Sequence, residues 1–150
     1  MNPQPLVLAA VAAGALAAAV IDLRTRRVPN ALTASIACVG LALAASGFGR
    51  VDVASSLGGA LAGLAFMLPG YLFGRTGAGD VKLLAAFGTL LGPSATLAAF
   101  VATAIAGGLL ALAVTAWRLR RQHTLGDRYF AYAPAIAAGV SFAAFGGFAL

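Results

Sequence analysis

A chain of 150 residues that is 61% hydrophobic and 9% charged, with a mean hydropathy of +0.96, lies far outside the water-soluble range, where about a quarter of residues carry charge. It reads as an all-α, polytopic membrane protein, a single domain over residues 1–150 with about six transmembrane helices and no separate soluble module. The net charge of +6 does not point to nucleic acid, because the ten basic residues fall in clusters between apolar runs, which is a topology pattern.

The first span is expected from about Leu6 to Ile21. It has no basic residue before it and an arginine cluster after it, the reverse of a secretory signal, so it is expected to be retained. Asp22-Leu23-Arg24-Thr25-Arg26-Arg27-Val28-Pro29-Asn30 follows, and Pro29 disfavours helix at Val28 and marks a turn. The second span, about Ala31 to Gly47, contains the single cysteine, Cys38, which is expected to be a small buried hydrophobe. One cysteine excludes a disulfide framework or a cysteine-based zinc site within one chain.

A short polar loop with Arg50 and Asp52 leads to the third span, about Val53 to Phe73. Gly59 and Gly63 there have the GxxxG spacing that lets helix backbones approach closely in lipid, and are read as packing. Gly74-Arg75-Thr76-Gly77-Ala78-Gly79-Asp80 then precedes an apolar segment, Val81 to about Leu91, too short to cross the hydrocarbon upright. Gly92-Pro93-Ser94 turns the chain into a fifth span, about Ala95 to Trp117. The longest polar loop carries Arg118, Arg120, Arg121, His123, Asp127 and Arg128, and a sixth span runs from about Tyr129 to Leu150. A lone histidine has no second ligand, so His123 is read as a loop residue and no metal or other cofactor is expected.

Counting loops on alternate sides puts nine of the basic residues on one face and only Arg50 on the other. By the positive-inside rule the loops after spans one, three and five are cytoplasmic and both termini lie outside. Asp22 and Asp80 then share one depth on the cytoplasmic face, while Asp52 and Asp127 read as ordinary loop carboxylates, solvated or ion-paired.

A carboxylate at the hydrocarbon boundary costs a few kcal/mol and is kept mainly where it faces a partner or a water-filled cavity. Two at one level suggest a shared site. Close together they would hold one proton between them, the condition for peptide hydrolysis by paired aspartates: the ionised member takes a proton from water and the protonated one donates to the scissile carbonyl. Gly77 and Gly79 permit turn conformations and leave space for an extended peptide beside Asp80.

The two stretches together resemble the signatures of type IV prepilin peptidases. Asp22 to Asn30 is similar to Asp-x-Arg-x-x-x-Ile-Pro-Asn, and Gly77-Ala78-Gly79-Asp80-Val81-Lys82 to Gly-x-Gly-Asp-x-Lys. The resemblance implies a membrane aspartyl endopeptidase with Asp22 and Asp80 catalytic and with Pro29, Asn30, Gly77, Gly79 and Lys82 in support. It also implies a prepilin substrate, cut at the cytoplasmic face of the bacterial inner membrane just before the pilin's hydrophobic helix. Larger members carry a segment with paired cysteines and also N-methylate the product. With Cys38 alone, the chain looks like the short form associated with Flp or tight-adherence pili, and no methyl transfer is expected. At the last helix the family's Pro-Tyr-Gly-Pro-like stretch is matched by Ala131-Tyr132-Ala133-Pro134-Ala135-Ile136, where Tyr132, Pro134 and Ile136 fit and the first proline and the glycine do not.

Plainer readings stand beside these. Asp80 also suits an N-terminal helix cap, Asp22 a helix end paired with Arg24 or Arg26, and Lys82 an inside-topology charge. Arg24, Arg26 and Arg27 read as topogenic, since they would repel a basic leader. A small proton-coupled transporter would place ionisable residues near the midplane, whereas these apolar runs are free of charge through their centres. A noncatalytic pilus assembly factor would make the two aspartates incidental.

Overall fold

The computed structural model describes residues 4–25, 27–74, 76–120 and 133–146. Within them the chain is all-α, with five helices: α1 (Gln4–Thr25), α2 (Asn30–Ala45), α3 (Val53–Leu72), α4 (Ala78–Arg120) and α5 (Ala133–Phe145). Pro5–Thr25, Val53–Leu72 and Ala78–Leu109 are long and apolar enough to cross a membrane, and α2 and α5 are shorter apolar helices. Much of the polar loop and the start of the sixth expected span, with Arg121, His123, Asp127, Arg128, Tyr129, Phe130 and Tyr132, lies outside the described residues, as do Arg26 and Arg75.

Helix ends follow the local chemistry. The Thr25 hydroxyl donates to the Ile21 carbonyl at 2.9 Å as α1 ends, and the Pro29 carbonyl receives the Leu32 and Thr33 N–H groups as α2 begins. Gly47 and Gly74, with φ of 73° and 67°, take the left-handed turns just beyond α2 and α3, where a side chain would be strained. Asp52 is a capping residue rather than a free loop carboxylate: its Oδ1 accepts the Ser55 N–H at 3.0 Å at the start of α3. The Ser55 hydroxyl first and its backbone N–H second hold the Asp52 carboxyl below the usual carboxylate range.

Helix α4 has two arms, because Gly92 takes φ 78°, ψ 174° and the following Pro93 supplies no backbone donor. The expected turn at Gly92-Pro93-Ser94 is therefore a sharp kink between residues 78–91 and 93–120. The Thr96 hydroxyl donates to the Gly92 carbonyl at 2.6 Å across this break. The first arm is the centre of the molecule, with every residue from Leu83 to Leu91 buried. A segment too short to span hydrocarbon upright is thus enclosed by protein, with Gly40 of α2 and Gly59 and Gly63 of α3 set closely against it.

Close backbone approach holds this arm to α3. A Cβ on Gly59 would collide with the Gly88 carbonyl, and one on Gly63 would sit 2.8 Å from Ala85 Cα, so the GxxxG pair is an α3–α4 contact surface. The Ser56 hydroxyl donates to the Thr89 carbonyl at 2.7 Å in the same seam. Outward faces stay apolar: Leu57, Leu61, Leu64 and Leu68 on α3, and Leu97, Val101, Ile105 and Leu109 on the second arm of α4, are exposed. A helix apolar on all sides suits lipid.

The same physics corrects the expectation for Cys38. It is exposed, because α2 buries Thr33, Ile36, Gly40 and Ala44 on its opposite face. An apolar residue in a membrane helix need not face the core; lipid serves equally well.

Candidate active site

The bundle has two chemically different ends. One gathers the ends or starts of α1, α2, α4 and α5, with Asp22, Asn30, Asp80, Lys82 and Ala133. At the other, Arg50 Nη1 donates to the Ala144 carbonyl at 2.9 Å and Val51 lies against Gly92.

Asp22 lies inside α1, one turn before its end, and is 5% exposed. Among the described residues its partner is a backbone group rather than Arg24, and Arg26 lies outside them. The Ala133 backbone N–H, the first of α5, donates to Asp22 Oδ2 at 3.1 Å. The first N–H groups of a helix lack internal acceptors, so a carboxyl placed there meets an unused donor and the positive end of the helix dipole. Pro134, second in α5, has no N–H and no need of an acceptor.

Asp80 lies in the first turn of α4, because that helix begins at Ala78, earlier than the apolar run that starts at Val81. It is half-buried, and its Oδ2 accepts the Gly77 N–H at 3.3 Å. This is the reciprocal arm of a capping box, with the side chain reaching back to the residue before the helix. Asp22 near the end of α1 and Asp80 in the first turn of α4 thus stand at the same end of the bundle.

The supporting residues join this end of the bundle. Lys82 Nζ donates to Asn30 Oδ1 at 3.2 Å, linking the two sequence stretches directly. A Cβ on Gly79 would stand 3.3 Å from Val28 Cβ, so the turn between α1 and α2 lies against the first turn of α4. Pro29 is the N-cap of α2, with φ −65° and ψ 140°, and sets the direction of that turn. Among the described residues no group of three or more His, Cys, Asp or Glu side chains is placed to hold a metal ion.

Sequence reasoning missed Ala133. The signal was the stretch opening the last helix, in which Ala133 precedes Pro134, but a backbone donor leaves no mark in residue chemistry.

Fold and site together define a helical membrane protein with two carboxyl groups at one end of its bundle. The model of the Type IV leader peptidase family matches residues 9–112, a stretch that includes both aspartates. The chain belongs to that family, and the membership makes it a protease of the leader-peptidase type. No curated protein and no solved structure matches the chain.

Proposed function

We propose that the chain is an aspartyl endopeptidase that removes the leader peptide from type IV prepilins of the Flp type, with Asp22 and Asp80 as its catalytic pair. The observation that carries the reading is the meeting of the two signature stretches, each bringing a carboxyl group to one end of the bundle. In this mechanism one carboxylate draws a proton from water as the water attacks the scissile carbonyl. The protonated partner donates to the carbonyl oxygen. Exposed Gly77 and half-buried Gly79 give a peptide backbone access to Asp80 without side-chain obstruction.

The chain crosses the bacterial inner membrane six times: once each through α1, α2, α3 and α5, and once through each arm of α4. The first arm of α4 is enclosed by protein and need not match the lipid thickness. The aspartate end faces the cytoplasm and both termini lie outside, in keeping with the basic residues after α1 and at the end of α4.

The test replaces Asp22 or Asp80 by Asn and follows leader removal from a prepilin in membranes. Loss of cleavage in both variants, with the protein still inserted, is the expected result; normal cleavage in both removes the proposal.

A further inference from the structure

We infer that Lys82 and Asn30 form a positioning clasp that fixes the α1–α2 turn to the start of α4, and thereby sets the placement of Asp22 relative to Asp80. The inference rests on the catalytic reading of the two aspartates and assigns a role to residues that do not carry the chemistry.

Asp22 and Asp80 stand on different helices that make little direct contact, since α4 packs mainly on α3, α5 and α2. α5 packs on both helices and so ties them indirectly, and a direct link between the end of α1 and the first turn of α4 comes from the α1–α2 turn. Asp80 itself is fixed locally, through Gly77. Among the described residues, direct links between the two signature stretches are the Lys82 to Asn30 hydrogen bond at 3.2 Å and the contact of Val28 with Gly79. Val28 and Asn30 flank Pro29 on the turn that closes α1, while Gly79 and Lys82 flank Asp80 on α4. Both links thus bracket the catalytic elements from the two sides.

The chemistry of the pair fits a clasp. An ammonium donates without a strict direction and an amide oxygen accepts without a charge of its own, so the contact ties the two stretches together while leaving the positive charge of Lys82 uncompensated beside the carboxyl groups. Lys82 and Asn30 are exposed, so the bond lies at the rim of the site and leaves its interior to substrate. Displacement of a catalytic group by about 1 Å can cost on the order of 100-fold in rate, so a modest rim contact can carry a large kinetic effect.

The test is a double-substitution cycle on the full-length protein in detergent or nanodiscs, with Lys82→Met, Asn30→Leu and both together. Asn30→Asp is included because it retains an acceptor for Lys82. A clasp predicts that each single change lowers kcat about tenfold with little change in KM, that the double variant is no worse than either single one, and that Asn30→Asp retains activity. A second readout is independent of cleavage. Spin labels on Arg27→Cys and Ala78→Cys, in a Cys38→Ser background because Cys38 is exposed, should give one narrow distance that broadens alike in Lys82→Met and Asn30→Leu.

Additive losses, a silent Asn30→Leu beside an impaired Lys82→Met, or unchanged label distances would overturn the clasp and leave Lys82 as a topology charge or a substrate contact. If the Asp22→Asn and Asp80→Asn variants cleave normally, the protease reading falls, and the distance measurement alone then decides whether the clasp exists.

Discussion

The backbone N–H of Ala133 donates to the carboxyl of Asp22 across 111 positions of sequence, at 3.1 Å and in a buried setting. The carboxyl of α1 thereby serves as the missing acceptor at the start of α5, and α5 in turn fixes one oxygen of Asp22. A carboxyl with one oxygen held has a defined direction for the other, as a group that must align with water and a peptide carbonyl requires.

Substituting Ala133→Pro tests that relationship by removing the donor, at a fully buried position where the ring also adds bulk. Proline suits the first position of a helix, where its missing N–H is not part of the internal ladder, so α5 should form while the donor to Asp22 disappears. A hydrogen bond to a buried carboxylate contributes about 1.5–3 kcal/mol. Leader cleavage should fall at least tenfold, with helical content by circular dichroism unchanged. Wild-type cleavage rates in this variant would show that the contact does not matter to activity.

The two α3–α4 glycines and Gly108 predict opposite responses to the same small change. Gly59→Ala places a methyl group against the Gly88 carbonyl, where neither backbone can yield without separating the helices. Overpacking of this kind costs about 1–3 kcal/mol, and the thermal midpoint of the purified protein should drop by several degrees. Gly108→Ala meets nothing within 4 Å and gains helix propensity, so its midpoint should hold or rise. Equal loss in both variants would contradict the packing described for Gly59.

These particulars also show where sequence reasoning succeeds and fails. That the stretches around Asp22 and Asp80 meet at one end of the bundle was legible because charge is scarce in an apolar chain and turns need special residues. The GxxxG pair was legible because close backbone contact demands an absent side chain. Cys38 misled because periodic burial cannot be read where both the core and the lipid are apolar. The contact from α5 was hidden for a different reason: a backbone N–H belongs to every residue except proline, and only the fold decides which one faces a carboxyl.

The cap at the start of α3 gives a pH dependence whose sign is fixed by the direction of its shift. Asp52 has its carboxyl held below the unfolded value by the Ser55 hydroxyl and backbone N–H, so its stabilisation is complete above the unfolded pKa of about 3.9 and is lost as pH falls through the lower folded value. Thermal midpoints of wild type and Asp52→Ala should therefore differ at neutral pH and converge as pH drops below about 4. A difference that persists undiminished into strong acid would mean that the charge of Asp52 is not what stabilises the helix start.

Arg50 supplies the opposite end of the same helix that Asp22 begins. Its guanidinium donates to the Ala144 carbonyl, so α5 has an acid at its first N–H and a base at one of its last carbonyls, the arrangement the helix dipole favours at both ends. Thirteen residues make about 20 Å of helix, so the two contacts lie near opposite ends of the bundle. Arg50→Met keeps an unbranched, shorter apolar stem and removes the donor, leaving a carbonyl at the C-terminal end of α5 to find another partner. The expected loss is about 1 kcal/mol, read as a lower thermal midpoint. Because the break is remote from Asp22, cleavage by the folded fraction should fall far less than in Ala133→Pro. If Arg50→Met abolishes cleavage while leaving the midpoint unchanged, α5 transmits its far end to the aspartate end as a rigid rod, and its two anchors act on activity as one unit.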